Sequence, residues 1–226
     1  MTTESRRWIL ARLRSAAGPD RNPAPRPPLP PLSALGTDRG GLLDTFQQKL
    51  AEVGGEFHQV ENWEALYAKL EEILKENEVR RAVATTDRVL ASLDLCGWGA
   101  SRGVEIRTPA DFADTAAFKD AIFMQAEAGL TGVDFLLAST GTLVLAHDRD
   151  QARLVSLAPI LHVAVAPLDS LVADYEPVVT ALYESGRKPS QVTFVTGPSS
   201  TADIQATPFT GMHGPRRLIV IVATRL

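Results

Sequence analysis

Apolar and polar residues follow two periods along this chain, one typical of helices and the other of strands. Apolar residues at helical spacing predict helices over residues 42–53, 63–75 and 171–185. Short apolar runs in the first half predict strands over residues 56–60, 81–85 and 104–107. Strands that alternate with helices in this way are typical of an α/β domain with a largely parallel sheet.

The second half of the chain is denser in predicted strands. Four apolar runs with short connections predict strands: VDFLLAS (133–139), GTLVLAH (141–147), RLVSLA (153–158) and LHVAVA (161–166). Two near-continuous apolar runs, QVTFV (191–195) and RLIVIVA (217–223), predict strands that are covered on both faces. The pattern therefore predicts an α/β fold, a three-layer, Rossmann-like, mostly parallel sheet with a hairpin extension.

Three segments of different character divide the chain. Residues 1–18 hold a short amphipathic helix over 5–16, with Trp8 and Leu13 on its apolar side. Residues 19–35 are a proline-rich linker, and residues 36–226 are the main α/β domain. So short a helix is not stable alone, so we expect its Trp8 side to pack on the main body or on a second subunit, which leaves a homo-oligomer open.

Charge is unevenly distributed along the chain. The net charge of the whole chain is −4, which gives no general reason to expect nucleic-acid binding. Residues 1–26 carry six Arg against Glu4 and Asp20, so this arm has a net charge of +4 and the remainder −8. The basic arm can dock on a partner or on its own acidic body, or it can be solvated, and the sequence leaves these alternatives open.

The single cysteine and the lack of a long apolar run limit the cellular location and the redox chemistry that we expect for this chain. No run of about 18 apolar residues is present, so we expect a soluble, cytoplasmic protein without a membrane span. Cys96 is the single cysteine, so the chain cannot by itself ligate an iron–sulphur cluster. Neither His nor a basic residue adjoins Cys96, and we expect it to be a buried structural residue.

Three glycine-rich loops are the candidate sites. Ligands of open α/β sheets bind beyond the carboxyl ends of the strands, where we expect these loops to lie. The first loop, within residues 129–145, holds Ser139, Thr140, Gly141 and Thr142, whose hydroxyl and N–H groups suit a carboxylate or a phosphate. The same residues also fit a tight turn that needs glycine.

The second loop, TGPSSTADI (196–204), follows a predicted strand. Ser200 and Asp203 fit a capping box, which predicts that a helix begins there. Such a helix start also offers free N–H groups to an anion, although Asp203 partly fills that role itself. Asp203 could instead orient a hydroxyl group or a water molecule.

The third loop, GMHGP (211–215), supplies the best histidine for chemistry. His213 lies between two glycines, so we expect it to be either exposed or closely approached by another group, and it is the best candidate for proton transfer or ligand contact. His162 lies inside an apolar strand and is interpreted as a core or sheet-face histidine. His147 lies beside two aspartates, which predicts a polar hairpin. No His or Cys spacing supports a metal site.

Together these segments resemble a known family. The motifs GLTGVDFLLASTGTLVL, LAPILHVAV, VTGPSSTADI and GMHGP resemble those of the LUD domain, and more narrowly those of the lactate-utilization protein C (LutC/YkgG) family. The resemblance covers residues 40–226. It implies a fold related to the NagB/RpiA/CoA-transferase-like group. It also implies action with a cysteine-rich partner and an iron–sulphur partner in oxidising L-lactate to pyruvate.

One residue departs from the family pattern. Many relatives have Glu where this chain has Ser139, and a glutamate near this loop can be catalytic in related CoA-transferase-like folds. A serine cannot replace a carboxylate as nucleophile or base, which argues against Glu-based acyl transfer. Glu127 is the nearby substitute that the sequence offers.

The resulting prediction is a non-redox subunit of a lactate-oxidising system that binds a small anionic ligand; its cofactor stays unknown. Asp203 and His213 are the predicted catalytic residues. The predicted ligand-binding residues are Ser139, Thr140, Gly141, Thr142, Gly197, Ser199, Ser200, Thr201, Gly211 and Gly214. Two alternatives stay open: a stand-alone isomerase, cyclo-ligase or acyl-transfer enzyme, and a structural or regulatory subunit without its own ligand.

Overall fold

The described part of the chain falls into two compact units. The computed structural model describes residues 3–16, 38–184, 186, 189–202, 208–211 and 213–225. The first unit, Met1–Ala34, contains helix α1 (Thr3–Ala16), in which the Arg12 guanidinium lies over the Trp8 indole at 4.9 Å. The second unit is Leu35–Leu226. The predicted proline-rich linker and its boundaries lie outside the described residues.

A six-stranded parallel sheet forms the centre of the second unit. Its strands, in spatial order, are β1 (Glu56–Val60), β12 (Arg217–Ala223), β7 (Leu161–Pro167), β4 (Ala128–Gly132), β2 (Arg81–Ala84) and β3 (Glu105–Arg107). Every neighbouring pair is parallel. β7 and β12 lie inside the sheet and are buried almost throughout, as their continuous apolar sequences predict.

Helix α3 (Trp63–Glu76) covers one face of this sheet. The Asn62 side chain accepts a hydrogen bond from the Ala65 N–H and so begins the helix. Leu66, Leu70 and Leu74 then pack against β-strand residues in one core. The shorter helices are α4 (Leu95–Ala100), α5 (Thr115–Met124), α6 (Leu154–Leu157), α7 (Tyr175–Glu184) and the 3-10 turns Pro109–Asp111 and Leu168–Ser170.

A second, four-stranded sheet and helix α2 (Arg39–Glu52) cover the opposite face. The strands of the second sheet, in spatial order, are β8 (Leu171–Val172), β5 (Phe135–Leu137), β6 (Thr142–His147) and β9 (Gln191–Val195). β6 is antiparallel to both β5 and β9. Phe46 of α2 and Leu145 of β6 share a core with Leu218 of β12. The structure therefore confirms the mixed α/β class with a mostly parallel sheet.

Two predicted elements are wrong, and one strand was missed. The run RLVSLA (153–158), predicted as a strand, contains α6, whose Val155 carbonyl packs on Gly129 where no side chain intervenes. The helix predicted over 171–185 begins only at Tyr175, because residues 171–172 pair with β5 as β8. β4, in the sequence AGLTG, was not predicted, because its two glycines resemble a loop.

The two late apolar runs differ in burial. β12 is covered on both faces, as predicted, but β9 forms an edge of the second sheet and leaves Phe194 42% exposed. The prediction of two covered faces is therefore wrong for β9. None of the helices in the described ranges is long and apolar enough to cross a membrane.

Candidate functional site

The second and third predicted loops meet, although not in the predicted form. Ser200–Ala202 is a strand, β10, which pairs antiparallel with β11 (Pro208–Thr210). The helix that was predicted to begin at Ser200 is therefore not formed by these residues, since their backbone pairs across a two-stranded ribbon. Thr201 also lies in β10, and Asp203 lies outside the described residues.

Backbone hydrogen bonds fasten the two loops together below this ribbon. The Ser199 N–H donates to the Pro215 carbonyl at 2.8 Å, and the Gly211 N–H donates to the Ser199 carbonyl at 2.7 Å. Gly197 has a φ of 87° and a Cβ there would lie 2.6 Å from the Val53 carbonyl oxygen. Glycine is required at this position both by the backbone conformation and by the close approach to α2.

A cavity of about 250 Å³ lies beside these loops. Four of the predicted site residues line it: Gly197, Ser199, His213 and Gly214. His213 is exposed, which is one of the two outcomes expected from the glycines on either side of it. The remaining wall comes from α6, β7, β9, β12 and Thr196, which directly follows β9. The wall residues from these four elements include Ser156, Leu157, His162, Thr193 and Leu218.

The cavity lies at the amino ends of the parallel strands. His162 is the second residue of β7, and Leu218 is the second residue of β12. The Arg216 N–H, just before β12, donates to the Ile160 carbonyl just before β7. The expectation that these two loops lie at the carboxyl ends of the strands is therefore wrong, because both precede or flank β12 rather than follow a strand of the large sheet.

The first predicted loop does not line this cavity. Gly141 has a φ of 65° and packs on α2, where a Cβ would lie 2.6 Å from the Lys49 carbonyl carbon. The Thr142 hydroxyl bonds the Thr140 hydroxyl at 2.7 Å and the Thr196 hydroxyl at 2.8 Å. This loop therefore reaches the cavity only through Thr196, which lines it.

Ser139 and Glu127, the two positions that the sequence raised for a catalytic carboxylate, lie in different surroundings. Ser139 donates a hydrogen bond to Asp174 at 3.2 Å, so this position faces a carboxylate from another element. Glu127 lies at the amino end of β4, away from the cavity residues, and its carboxylate accepts the Arg80 and Arg81 N–H groups. Partial burial acts to raise the pKa of Glu127. The two hydrogen bonds and the charges of the two arginines outweigh this effect and hold the pKa below its ordinary value.

His162 is the residue of the cavity that the sequence interpretation undervalued. It is fully buried, as expected for a core histidine, and burial lowers its pKa to about 4, so the ring is neutral near pH 7. Its Nε2 hydrogen bonds the Thr131 hydroxyl at 2.8 Å. Its Nδ1 is buried and has no hydrogen-bond partner among the described residues.

The hydrogen-bond partners of His162 indicate which ring nitrogen carries the proton. If the Thr131 hydroxyl donates to Nε2, one buried group is left without a partner, the Nδ1–H. If Nε2–H donates instead, both the Thr131 hydroxyl proton and the Nδ1 lone pair lack partners. Because each buried unsatisfied polar group destabilises the fold, the first tautomer is favoured. His162 is therefore a buried residue of the cavity wall whose Nδ1–H has no acceptor among the described residues.

His147 accepts a hydrogen bond from the Thr193 hydroxyl, which leaves Thr193 as an acceptor, whereas His162 is a donor. Its Nδ1 lies 3.1 Å from the Gln151 carbonyl and its Nε2 lies 2.8 Å from the Thr193 hydroxyl. Burial is the main cause that lowers the pKa of His147, so the ring is neutral near pH 7. A carbonyl only accepts, so Nδ1 carries the proton and the Thr193 hydroxyl donates to Nε2. Thr193 therefore offers only an acceptor to the cavity.

Cys96 is not the buried structural residue that was expected. It lies in α4 with an exposed surface. Partial burial of the thiol raises its pKa, and the charges of Asp111 and Asp94 add to the effect. The environment of Cys96 therefore opposes formation of a thiolate nucleophile.

Known proteins resemble this chain along most of its length. The family model of the LUD domain matches residues 43–223. A protein named lactate utilization protein C from Deinococcus radiodurans is 28% identical over 98% of this chain and 96% of its own length. Proteins of the same name from Anoxybacillus flavithermus and Oceanobacillus iheyensis are 30% and 31% identical, over 83% and 80% of this chain and 72% of their own lengths.

A solved structure supports the same assignment. The crystal structure of a DUF162 family protein from Deinococcus radiodurans matches with a TM-score of 0.62 and 25% identity, over 83% of this chain and 99% of that chain. The sequence motifs, the mixed α/β architecture and the family model agree over one continuous region. The chain therefore belongs to the LUD domain family.

Proposed function

We propose that this chain is a non-redox subunit of a system that oxidises L-lactate to pyruvate. The relatives named lactate utilization protein C support a role in lactate utilization, and one of them aligns with 98% of this chain. The finer proposal adds two partners, a cysteine-rich protein and an iron–sulphur protein. One exposed cysteine in this chain cannot ligate a cluster, so electrons removed from lactate have to pass to the partners.

The proposed ligand is a small 2-hydroxy or 2-keto acid bound in the cavity beside His162. The observation that carries this proposal is the buried, unpaired His162 Nδ1–H, a donor that suits a carboxylate or carbonyl oxygen. Thr193 offers an acceptor for the hydroxyl group of a 2-hydroxy acid. A volume of about 250 Å³ is below the range of sites for drug-sized ligands and suits a small metabolite.

His213 is the proposed proton-transfer residue, with Asp203 as the second candidate. The exposed His213 side chain belongs to the same cavity wall as the buried His162. Histidine is the most frequent general acid–base residue, whereas the low pKa of His162 suits that ring to donate a hydrogen bond while it stays neutral. Thr140 and Thr142 are proposed to position Thr196 through their hydroxyl chain.

Reconstitution with the two partner proteins tests this function. We expect lactate-dependent reduction of an electron acceptor only when this chain is added to the cysteine-rich and iron–sulphur proteins. His213→Ala is expected to lower the rate by about a hundredfold or more, the usual contribution of general acid–base catalysis. His58→Ala, in β1 and outside the cavity, is the matched control and should leave the rate unchanged.

Calorimetric titration of the isolated chain tests the ligand separately. L-Lactate or pyruvate should bind, and Thr193→Val should weaken L-lactate more than pyruvate because the hydroxyl group loses its acceptor. Folded His213→Ala and Asp203→Ala variants with undiminished rates would refute both proton-transfer roles. Turnover of sugar phosphates or CoA thioesters by the isolated chain would identify a stand-alone enzyme instead. Co-purification with the partners without any ligand binding would identify a structural subunit.

A further inference from the structure

A second cavity, of about 380 Å³, lies at the opposite end of the large sheet. Its lining includes Gly132, the last residue of β4, and Asp87, three residues after the end of β2. β2 and β4 are neighbours in the large sheet. The strand of this sheet that follows β2 along the chain, β3, lies on the side of β2 away from β4. The strand that follows β4, β7, lies on the side of β4 away from β2. The crevice between two strands where the order reverses in this way is where open α/β sheets bind ligands.

Gln151 supplies an unsatisfied acceptor to this cavity. Its side chain is buried, with 2% exposed, and its Nε2 donates to the Gly132 carbonyl at 2.7 Å. A carbonyl can only accept, so this hydrogen bond fixes which way the amide points. Oε1 is left buried, without a hydrogen-bond partner among the described residues, on a side chain that lines the cavity. A ligand at this position has to offer a donor.

Asp87 supplies a buried negative charge beside it. Its carboxylate accepts the N–H groups of Val89 and Gly132, each at 2.8 Å, and the Thr85 hydroxyl. All of these donors are neutral, and Asp87 forms no ion pair within the described part of the chain. Buried carboxylates are ordinarily paired with a cation, so the cavity combines an unpaired acceptor with an unpaired charge.

Most of the other charged residues in the cavity wall are negative, as Asp87 is. Asp134, Asp148 and Asp150 line the cavity, and Arg88 is the one cation among its described lining residues. Asp134 and Asp148 already accept backbone N–H groups, so recognition rests on Gln151 and Asp87. An anion such as a phosphate would be repelled here. Apolar surface is also present, on Phe135 and Leu182.

We propose that this cavity is a ligand site for a small organic ammonium ion. The ammonium N–H groups donate to Gln151 Oε1, the positive charge offsets that of Asp87, and a short carbon chain packs on Phe135 and Leu182. The site shares no lining residue with the cavity beside His162, so it stands apart from the function proposed above. Either proposal can fail without the other.

Titration of the full chain with n-butylammonium tests the proposal, and 1-butanol is the neutral probe of the same length. We expect saturable binding of n-butylammonium that weakens as salt is added, and at least about tenfold weaker binding of 1-butanol. Gln151→Met keeps the volume of the side chain and removes both the Oε1 acceptor and the Nε2 donor to Gly132. It should lower the affinity for n-butylammonium by about tenfold or more, the usual effect of losing a hydrogen bond to a charged donor.

Gln59→Met is the matched control, because Gln59 is an exposed glutamine of β1 at the far edge of the sheet. It should leave the affinity unchanged. If Gln151→Met does not fold, Asp150→Asn changes the charge of the wall at an exposed position and should weaken binding a few-fold. Equal affinity for the amine and the alcohol, or for wild type and a folded Gln151→Met variant, would overturn the proposal. So would Mg²⁺ binding without amine binding.

Discussion

His162 shows how its surroundings set the chemistry of one side chain. The ring lies in a strand whose neighbours are all apolar, and burial lowers its pKa to about 4. Its one described partner is Thr131, in the neighbouring strand β4. A neutral ring that keeps its proton on Nδ1 is a hydrogen-bond donor over the whole physiological pH range. The same side chain at an exposed position would change its charge within that range.

The low pKa of His162 predicts that acid destabilises the fold. In the unfolded chain a histidine titrates near pH 6.5, whereas His162 in the folded protein titrates at about 4. Between these values the unfolded chain binds the proton and the folded one does not. Stability is therefore complete above about pH 6.5 and falls as the pH drops toward 4, by roughly 3 kcal/mol from this group. The lowered pKa of His147 acts in the same direction.

Urea unfolding between pH 7.5 and 4.5 measures this loss, and NMR titration of the histidine rings assigns it to a residue. His162→Gln should flatten the dependence on pH, because the amide cannot be protonated in this range. His58→Gln removes a half-buried histidine of β1 and should leave most of the dependence in place. A His162 ring that titrates between pH 6 and 7 in the folded protein would contradict the prediction.

At the scale of elements, the turn between β5 and β6 is fitted against the end of α2. Gly141 makes the turn with a φ of 65°, and the backbone of Lys49 and Leu50 occupies the space where a side chain would stand. The loop that carries Ser139, Thr140 and Thr142 is thus held by packing on a helix. Its glycine is explained by the fold, without any ligand.

Gly141→Ala is expected to destabilise the protein for two reasons. The left-handed conformation costs about 1–2 kcal/mol in any residue with a Cβ, and the collision with the backbone of α2 adds to it. Gly103→Ala is the matched control, because Gly103 has a φ of 74° but no atom within 4 Å of the added Cβ. We expect the free energy of unfolding in urea to fall by about 3 kcal/mol or more in Gly141→Ala and by about 1 kcal/mol in Gly103→Ala. Equal losses would mean that α2 moves aside freely.

At the scale of the whole second unit, the large sheet separates two apolar cores. On one side α3 packs with β-strand residues, and Trp63 and Trp98 lie against this core. On the other side α2 and the second sheet pack on the opposite faces of β7 and β12. Because the same strands contribute to both cores, a substitution that destabilises one core should also destabilise the other.

Leu145→Ala tests this coupling. Leu145 belongs to the second sheet and is fully buried, so we expect a loss of about 3 kcal/mol and a fall in Tm of roughly 6–12 °C. In a Trp8→Phe background the fluorescence of Trp63 and Trp98, on the far core, should report the same Tm as circular dichroism. Ile160→Ala, at a residue that is 59% exposed, should change stability by less than about 0.5 kcal/mol. Two separate transitions in Leu145→Ala would show that the cores unfold independently.

Local pattern by itself determined much of the secondary structure and the family. Helix α3 and strands β1 and β12 follow directly from their spacing of apolar residues, since a cap, a period and a turn act within a few residues. The glycine-rich motifs also indicated the LUD domain, and four of the predicted site residues do line one cavity. Gly211 and Gly214 predicted that His213 would be either exposed or closely approached, and it is exposed.

Only the tertiary structure decided which end of the sheet each loop occupies and which side chains meet there. RLVSLA became a helix because it packs on Gly129, and Ser200 entered a ribbon because residues 208–210 pair with it. His162 meets Thr131 across two neighbouring strands, and Gln151, in the loop after β6, meets Gly132 of β4. The sequence does not encode the order of these strands locally. Such contacts depend on burial and on partners distant in the chain, so the hydrogen-bonding capacity that each side chain keeps for a ligand was decided by the fold.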